Sequence, residues 1–161
     1  MSQSTLTEPA ERWLATNQRY LAAALQLLRT TLALHRLPGQ ADASAADQQA
    51  AAALAEVAAT LSEPAALETL CARFGLSPFE RAVLLLCAGI ELDQNFAEFY
   101  ARCPGNPSPP TFSGLLAALP DAHWSALCPD GPLRRWRLTA RRSAIARSTL
   151  VSTAAAKAGL Q

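Results

Sequence analysis

The stretch FGLSPFERAVLLLCAGI, residues 74–90, decides the fold. Gly75 supplies the left-handed residue that ends one helix, and Ser77 and Glu80 have the spacing of a capping box that starts the next. Pro78 fits the first position of that second helix, where its missing N–H costs nothing. A helix, a Gly-Leu-Ser turn and a capped helix are the sequence form of a helix-turn-helix. We therefore expect a helix-turn-helix near the middle of the chain.

Helical spacing extends to the N-terminal side of this turn. A first helix should begin near Thr7 and end before Pro38, and a second should follow a polar loop at residues 39–46. Ser62-Glu63-Pro64 should cap a short third helix that ends at Gly75. The apolar residues expected to face inward on the first two helices are Trp13, Leu14, Leu21, Leu25, Leu28, Leu32, Leu54, Val57 and Leu61.

Short elements should follow on the C-terminal side. The fourth helix should end near Gly89, and a fifth should cover residues 91–103. Prolines in 104–110 interrupt regular structure, after which Thr111 and Asp121 should each cap a short helix. Alternating apolar residues in 133–138 predict a short strand or extended edge. The residues that we expect to be buried together are Phe74, Leu84, Leu85, Phe96 and Trp124.

The composition favours helix. Half of the 161 residues are apolar, and alanine and leucine outnumber β-branched and aromatic residues. No apolar run approaches the ~20 residues that cross a bilayer, and the polar start lacks a signal peptide, so we expect a cytoplasmic protein without a membrane partner. The cysteines form no C-x-x-C pair and should be free core thiols; they are Cys71, Cys87, Cys103 and Cys128.

The formal net charge of +1 conceals an asymmetry. Residues 1–133 hold all 13 acids against 7 arginines, whereas residues 134–161 hold 7 basic residues and no acid. Few large apolar residues follow Leu138, so we expect 139–161 to be a basic, poorly packed tail. Its composition is what a GC-rich gene yields out of frame, which favours a frameshifted or truncated protein. The alternative is a basic arm that contacts nucleic acid.

Few residues could support catalysis or metal binding. His35 and His123 lie far from any cysteine or acid pair with ligand spacing, and Glu91 and Asp93 are explained as acids at a helix start. Lys157 is the only lysine, and it follows three alanines instead of the glycine-rich loop that a phosphate site requires. We therefore expect no enzyme activity in this chain, and no catalytic, cofactor-binding or metal site.

A DNA-binding helix-turn-helix needs polar side chains on its second helix to reach the base edges. Here residues 82–90 are continuously apolar, and only Glu80 and Arg81 before them carry charge. We therefore expect this helix to be buried, and a DNA-binding regulator is our second hypothesis for the function. A toxin or regulator that acts alone is a third hypothesis without a supporting motif.

Three blocks of sequence resemble a known family. They are LCARFGLSPFERAVLLLCAGIELDQNFAEFY at 70–100, PTFSGLLAALPDAHWSAL at 110–127 and PLRRWRL at 132–138. In this order they resemble the N-terminal winged-helix domain that precedes the ATPase module of a family of bacterial AAA+ proteins, some of which are associated with phage-tail-like contractile injection systems. The residues that carry the resemblance should serve as core, turn and cap; they are Phe74, Gly75, Leu76, Phe79, Glu80, Trp124 and Trp136.

The resemblance implies a mainly α domain with a winged-helix core and at most a small β wing. Residues 1–138 should form it, with long helices over 7–61 and the helix-turn-helix core over 62–138. It also implies a non-catalytic accessory domain that binds a protein partner or client at the front of a AAA+ ATP-binding motor. No Walker A, Walker B or arginine-finger position exists in these residues, so nucleotide chemistry would belong to a downstream module.

Overall fold

A computed structural model describes residues 7–36, 41–103 and 111–138. In these ranges the chain forms helices and turns and no strand. The helices are α1 (Thr7–Arg36), α2 (Ala41–Ala59), α3 (Ala66–Phe74), α4 (Pro78–Leu92), α5 (Gln94–Arg102), α6 (Phe112–Ala118) and α7 (Pro132–Arg135), with a 3₁₀ turn at Trp124–Leu127 before α7. The expected mainly α fold is confirmed.

The chain divides into two compact units, Met1–Gly75 and Leu76–Gln161. The N-terminal unit contains α1, α2 and α3, and the C-terminal unit contains the remaining helices. None of the helices in the described ranges is long and apolar enough to cross a membrane. The tail at 139–161 lies outside the described residues, so its poor packing stays a prediction.

In the N-terminal unit, α1 and α2 pack against each other. The Asp47 carboxylate of α2 accepts hydrogen bonds from the hydroxyls of Thr30 and Thr31 of α1, at 2.9 and 2.8 Å. The buried residues of α1 are spaced three or four apart, as one face of a helix requires. They are Asn17, Tyr20, Ala24, Leu28 and Leu32.

The predicted inward face of α1 is correct only in part. Leu28 and Leu32 are buried, but Leu14 is 51% exposed, because the apolar stripe is wider than the surface that its neighbours cover. The predicted loop at 39–46 is also wrong in part, since α2 begins at Ala41. Alanine has the highest helix propensity, so the small polar residues beside it do not delay the helix.

The start of α3 depends on a tertiary contact instead of the predicted Ser62-Glu63-Pro64 cap. Its N-cap residue is Ala65, whose side chain cannot accept a hydrogen bond from the helix. The N–H of Ala66 instead donates to Oδ1 of Asn17 at 2.9 Å, and Asn17 is buried in α1. α1 therefore supplies the capping group that the local sequence of α3 lacks.

In the C-terminal unit, α4 begins as predicted. Gly75, just before it, has φ +63°. Ser77 and Glu80 form the capping box, in which Ser77 Oγ accepts from the Glu80 N–H at 3.2 Å and the Glu80 carboxylate accepts from the Ser77 N–H at 2.9 Å. Pro78 is the first residue of the helix. These bonds satisfy N–H groups that the first turn of a helix leaves without partners.

The end of α4 lies later than predicted. The helix continues past Gly89 to Leu92, and the next helix occupies Gln94–Arg102 instead of 91–103. Asp93 stands between them, and its carboxylate accepts hydrogen bonds from the first N–H groups of α5. One aspartate therefore separates the two helices, because an N-cap residue takes an extended backbone that stops the helix before it.

The core of the C-terminal unit contains large side chains from α4, α5, α6 and α7. Those at most 2% exposed are Phe79, Val83, Leu86, Phe96, Tyr100, Leu115 and Leu133. Of the five residues expected to be buried together, Leu85 and Phe96 are buried, and Leu84 is half-buried. Phe74, also half-buried, belongs to the N-terminal unit.

The prediction for Trp124 is wrong, because its side chain is 74% exposed. The single 3₁₀ turn that begins there buries Ala126, and a residue two positions earlier lies on another side of so short a turn. The predicted Asp121 cap is also wrong, since this turn starts after His123 without a side-chain cap. Thr111 caps α6 as predicted, accepting from the Gly114 N–H at 3.2 Å.

The predicted strand at 133–138 is wrong as well. Pro132 is the first residue of α7, and Leu133 is fully buried. The N–H of Leu138 donates to the Leu133 carbonyl oxygen at 3.0 Å, which closes the end of the helix. The apolar residues of 133–138 alternate because one helical turn is followed by a reversal of the chain. Over six residues this arrangement gives the same alternating pattern as a strand.

Leu85 and Leu92 of α4 offer a matched pair for testing this packing. Leu85 is 3% exposed and Leu92 is 79% exposed. We expect Leu85→Ala to lower the free energy of unfolding by about 2 to 5 kcal/mol, through lost burial and a cavity. Leu92→Ala should change it by less than about 0.5 kcal/mol. Urea denaturation of both variants measures the difference, and equal effects would contradict the orientation of α4.

Candidate functional site

α4, the second helix of the predicted helix-turn-helix, offers few exposed side chains to a ligand. Its buried residues are Phe79, Glu80, Val83, Leu85, Leu86 and Gly89. The residues of α4 that are exposed are Pro78, Glu91 and Leu92. Arg81, its one basic residue, is half-buried. The expectation that this helix is buried is confirmed, and its exposed residues include no Arg, Lys, Asn or Gln, the side chains that make bidentate contacts to purine bases.

His123 joins two serines in the C-terminal unit. Its Nε2 lies 2.9 Å from Ser77 Oγ, and its Nδ1 lies 2.7 Å from Ser125 Oγ. Its ring meets the Phe79 ring edge to face, with centroids 5.3 Å apart. Sequence reasoning missed this arrangement, because 46 residues separate the first serine from the histidine and no local motif marks the pair.

A serine beside a histidine is the geometry that activates a nucleophile, but the surroundings favour a structural role. Ser77 Oγ already accepts the Glu80 N–H and caps α4. The other imidazole nitrogen faces Ser125 instead of the carboxylate that orients the base in a catalytic triad. The arrangement therefore fastens the 3₁₀ turn to the start of α4.

The remaining sequence candidates lie apart from any site. His35 is exposed on α1, Glu91 is exposed at the end of α4, and Asp93 caps α5. Lys157 lies outside the described residues. Within 7–36, 41–103 and 111–138, no group of three or more His, Cys, Asp or Glu residues could hold a metal ion.

The cysteines do not share one environment. Cys71 is buried and Cys87 is mostly covered, and burial raises the pKa of Cys87 to about 11, with a further contribution from the nearby charge of Glu91. The thiol of Cys87 therefore stays protonated and unreactive at neutral pH. Cys128 is exposed, so the expectation of a core thiol is wrong there, because the residue follows a single 3₁₀ turn on the surface.

Exposed tryptophan and arginine side chains occur on the 3₁₀ turn, on α7 and directly after α7, and the turn packs against α7. Trp124 is 74% exposed and Trp136 is 48% exposed, so neither is the core residue that the sequence predicted. The Arg135 guanidinium carbon lies 5.5 Å from the centroid of the Trp136 ring, a cation–π contact. Arg134 and Arg137 are also exposed. We call these five residues, Trp124, Arg134, Arg135, Trp136 and Arg137, the Trp-Arg surface.

The backbone beneath the Trp-Arg surface is tightly fixed. Ala126 is 1% exposed and Leu133 is fully buried, so both elements are anchored in the unit. A Cβ added to Gly131 would lie 3.1 Å from the carbonyl oxygens of Ser125 and Cys128, so the chain enters α7 against the backbone of the 3₁₀ turn. The exposed side chains of the Trp-Arg surface are therefore attached to backbone that is packed into the core of the unit.

Substituting Ser77 and Ser125 one at a time measures how much each hydroxyl that contacts His123 contributes to stability. We expect Ser77→Ala to lower the free energy of unfolding by about 0.5 to 2 kcal/mol, because the α4 cap is lost. Ser125→Ala, the control, removes only the outer bond of His123 and should cost less than about 0.5 kcal/mol. Urea denaturation measures both. Equal losses would contradict the assignment of Ser77 as the residue that holds the start of α4.

A known domain family covers the greater part of this chain. The family model described as "Winged helix domain, variant" matches residues 39–150. The match includes every helix from α2 to α7 and extends past Leu138 into the basic tail, whereas α1 lies before it. A search of curated proteins and a search of solved structures give no match.

Proposed function

Because the chain belongs to the variant winged helix domain family, we propose that it is a non-catalytic accessory domain that binds protein and accompanies a AAA+ ATP-binding module. The observation that carries this proposal is the burial of α4. α4 places Phe79, Val83, Leu85 and Leu86 in the core and exposes only Pro78, Glu91 and Leu92, so it offers few side chains to a DNA groove. The helix-turn-helix therefore serves as architecture, and recognition falls to another surface.

The Trp-Arg surface supports binding to protein. Tryptophan and arginine are the residue types most enriched among side chains that dominate protein interfaces. Tryptophan is seldom so exposed in a small domain, and this surface holds two exposed tryptophans and three exposed arginines. The C-terminal unit presents them on a fixed backbone, which reduces the entropy lost when a partner binds.

The AAA+ part of the proposal rests on the resemblance of the three sequence blocks at 70–100, 110–127 and 132–138. All three blocks lie within the residues that the winged helix family matches. The only lysine of the chain, Lys157, stands outside any glycine-rich loop, so ATP binding would belong to a separate module. In this arrangement the domain positions the motor or recruits its client.

DNA binding is the second candidate function, and the exposed arginines on and after α7 favour it. Arg134, Arg135 and Arg137 would contact phosphates and would carry no sequence information. Residues 1–133 hold 13 acids against 7 arginines, which opposes the approach of a polyphosphate. Sequence-specific reading would have to come from Arg81, the one basic residue of α4.

Fluorescence anisotropy with the full chain and labelled DNA duplexes distinguishes the two functions. We expect weak binding that is equal for all sequences and that disappears between about 50 and about 200 mM salt. Arg81→Ala should leave it unchanged, whereas Arg134→Ala should weaken it equally for every duplex. Tight binding to one sequence that Arg81→Ala weakens by about tenfold would overturn the protein-binding proposal in favour of DNA reading.

Calorimetry and the gene itself test the AAA+ part. Titration of ATP with magnesium into the full chain should give no saturable heat, because no glycine-lysine loop is present. The gene beyond codon 150, where the family match ends, should encode such a loop when it is read in all frames. Micromolar ATP binding by this chain, or the lack of any frame with a phosphate loop, would contradict the association with a AAA+ module.

A further inference from the structure

The end of α7 holds an arginine where a glycine is usual. Leu138 donates its N–H to the Leu133 carbonyl oxygen at 3.0 Å, and Arg137 donates its N–H to the Arg134 carbonyl oxygen at 3.1 Å. This pair of bonds is the Schellman motif, which requires a left-handed residue at the position of Arg137. Arg137 has φ +53°, which glycine adopts freely and a residue with a Cβ adopts at a cost. Folding alone would favour glycine, so a function explains the arginine better.

The two tryptophans of the Trp-Arg surface also contribute little to the stability of the fold. Trp124 buries only about a quarter of its side chain, and Trp136 remains close to half exposed while the Arg135 guanidinium covers part of its ring. An aromatic side chain contributes to stability chiefly through burial. Trp124, which is exposed, and Arg137, which has a strained backbone, therefore both belong to the Trp-Arg surface and both contribute little to stability.

Charge indicates what this surface binds. The three arginines stand against two exposed acids of the same region, Asp121 and Asp130, and no acid follows in 134–161. A partner must therefore bring negative charge, and apolar groups to cover Trp124. Nucleic acid would bring a charge at every unit of its backbone, which the acids of the C-terminal unit itself, such as Glu91, Glu98 and Asp130, oppose. A protein segment can confine its charge to a few carboxylates.

We propose that the Trp-Arg surface binds an acidic segment of a partner protein, in which Asp or Glu side chains flank an aromatic or large aliphatic side chain. The apolar side chain packs on Trp124, and the carboxylates pair with Arg134 and Arg137, whose planar guanidinium groups donate two parallel hydrogen bonds to a carboxylate. The proposal rests on the protein-binding function and names the chemistry of the partner.

A peptide selection tests this assignment and needs no natural partner. A display library of random peptides of about twelve residues is selected on the immobilised full chain, and enriched peptides are synthesised and measured by anisotropy. We expect enriched peptides to combine Asp or Glu with Phe, Trp or Leu. Binding should protect a tryptophan from acrylamide quenching, and the protection should disappear in Trp124→Ala.

Two variants and two controls make the assignment specific to this surface. Trp124→Ala and Arg137→Gly should each weaken the selected peptide about tenfold or more. Arg137→Gly should leave the melting temperature unchanged or raise it, since glycine fits the left-handed position. Leu92→Ala and Arg102→Ala, exposed apolar and basic residues of the same unit, should leave peptide binding unchanged.

Each contrary outcome has its own meaning. Failure to enrich any peptide, enrichment of neutral or basic peptides, or a lower melting temperature of Arg137→Gly overturns the inference. Peptide binding that ignores Trp124→Ala overturns it as well but leaves the proposed protein-binding function intact. If oligo(dT) of about twelve nucleotides binds more tightly than the peptides and depends on Trp124, the surface is instead a site for single-stranded nucleic acid.

Discussion

The hydrogen bonds that meet at Ser77 are the constraint on which the C-terminal unit depends. Its N–H and hydroxyl close the capping box with Glu80 and so fix the first turn of α4. The same hydroxyl meets His123, whose second nitrogen meets Ser125 in the 3₁₀ turn. Ser77 therefore holds both the start of α4, which fills the core, and the 3₁₀ turn, which carries Trp124. The position of Trp124 in the Trp-Arg surface thus depends on the residue that caps α4.

Once α4 is fixed in the core, the functional choice of this winged helix domain is narrow. A recognition helix must be amphipathic in a particular way, with a polar face turned to the base edges. α4 instead places its large apolar residues inside and leaves Glu91 and Leu92 outside. The same sequence pattern that makes a stable core therefore leaves α4 few exposed polar side chains for a DNA groove, which is why we propose that binding uses α7 and the turn before it.

The sequence predicts elements set by local chemistry and misses those set by distant contacts. The bounds of α1, the left-handed Gly75 and the capping box follow from residues a few positions apart. The cap of α3 was missed, because Asn17 reaches Ala66 across 49 residues of sequence. His123 was missed for the same reason. The sequence wrongly predicts Trp124 and Trp136 as core residues, because aromatic residues are usually buried and no pattern reports the direction of a side chain on a single turn.

Residues 121–138 contain several departures from local rules. The non-glycine residues with positive φ in the described ranges are Asp121 and Arg137, at the two ends of this segment. Aspartate tolerates the left-handed conformation through its short polar side chain, so Asp121 is an ordinary turn residue, whereas Arg137 has no such reason. Folding would place glycine at the second position and a smaller residue at Trp124. Local rules, packing and charge normally agree in a folded domain, and this segment departs from them while its backbone stays anchored by Leu133. We therefore propose that contact with a partner, and not stability, explains the residues at these positions.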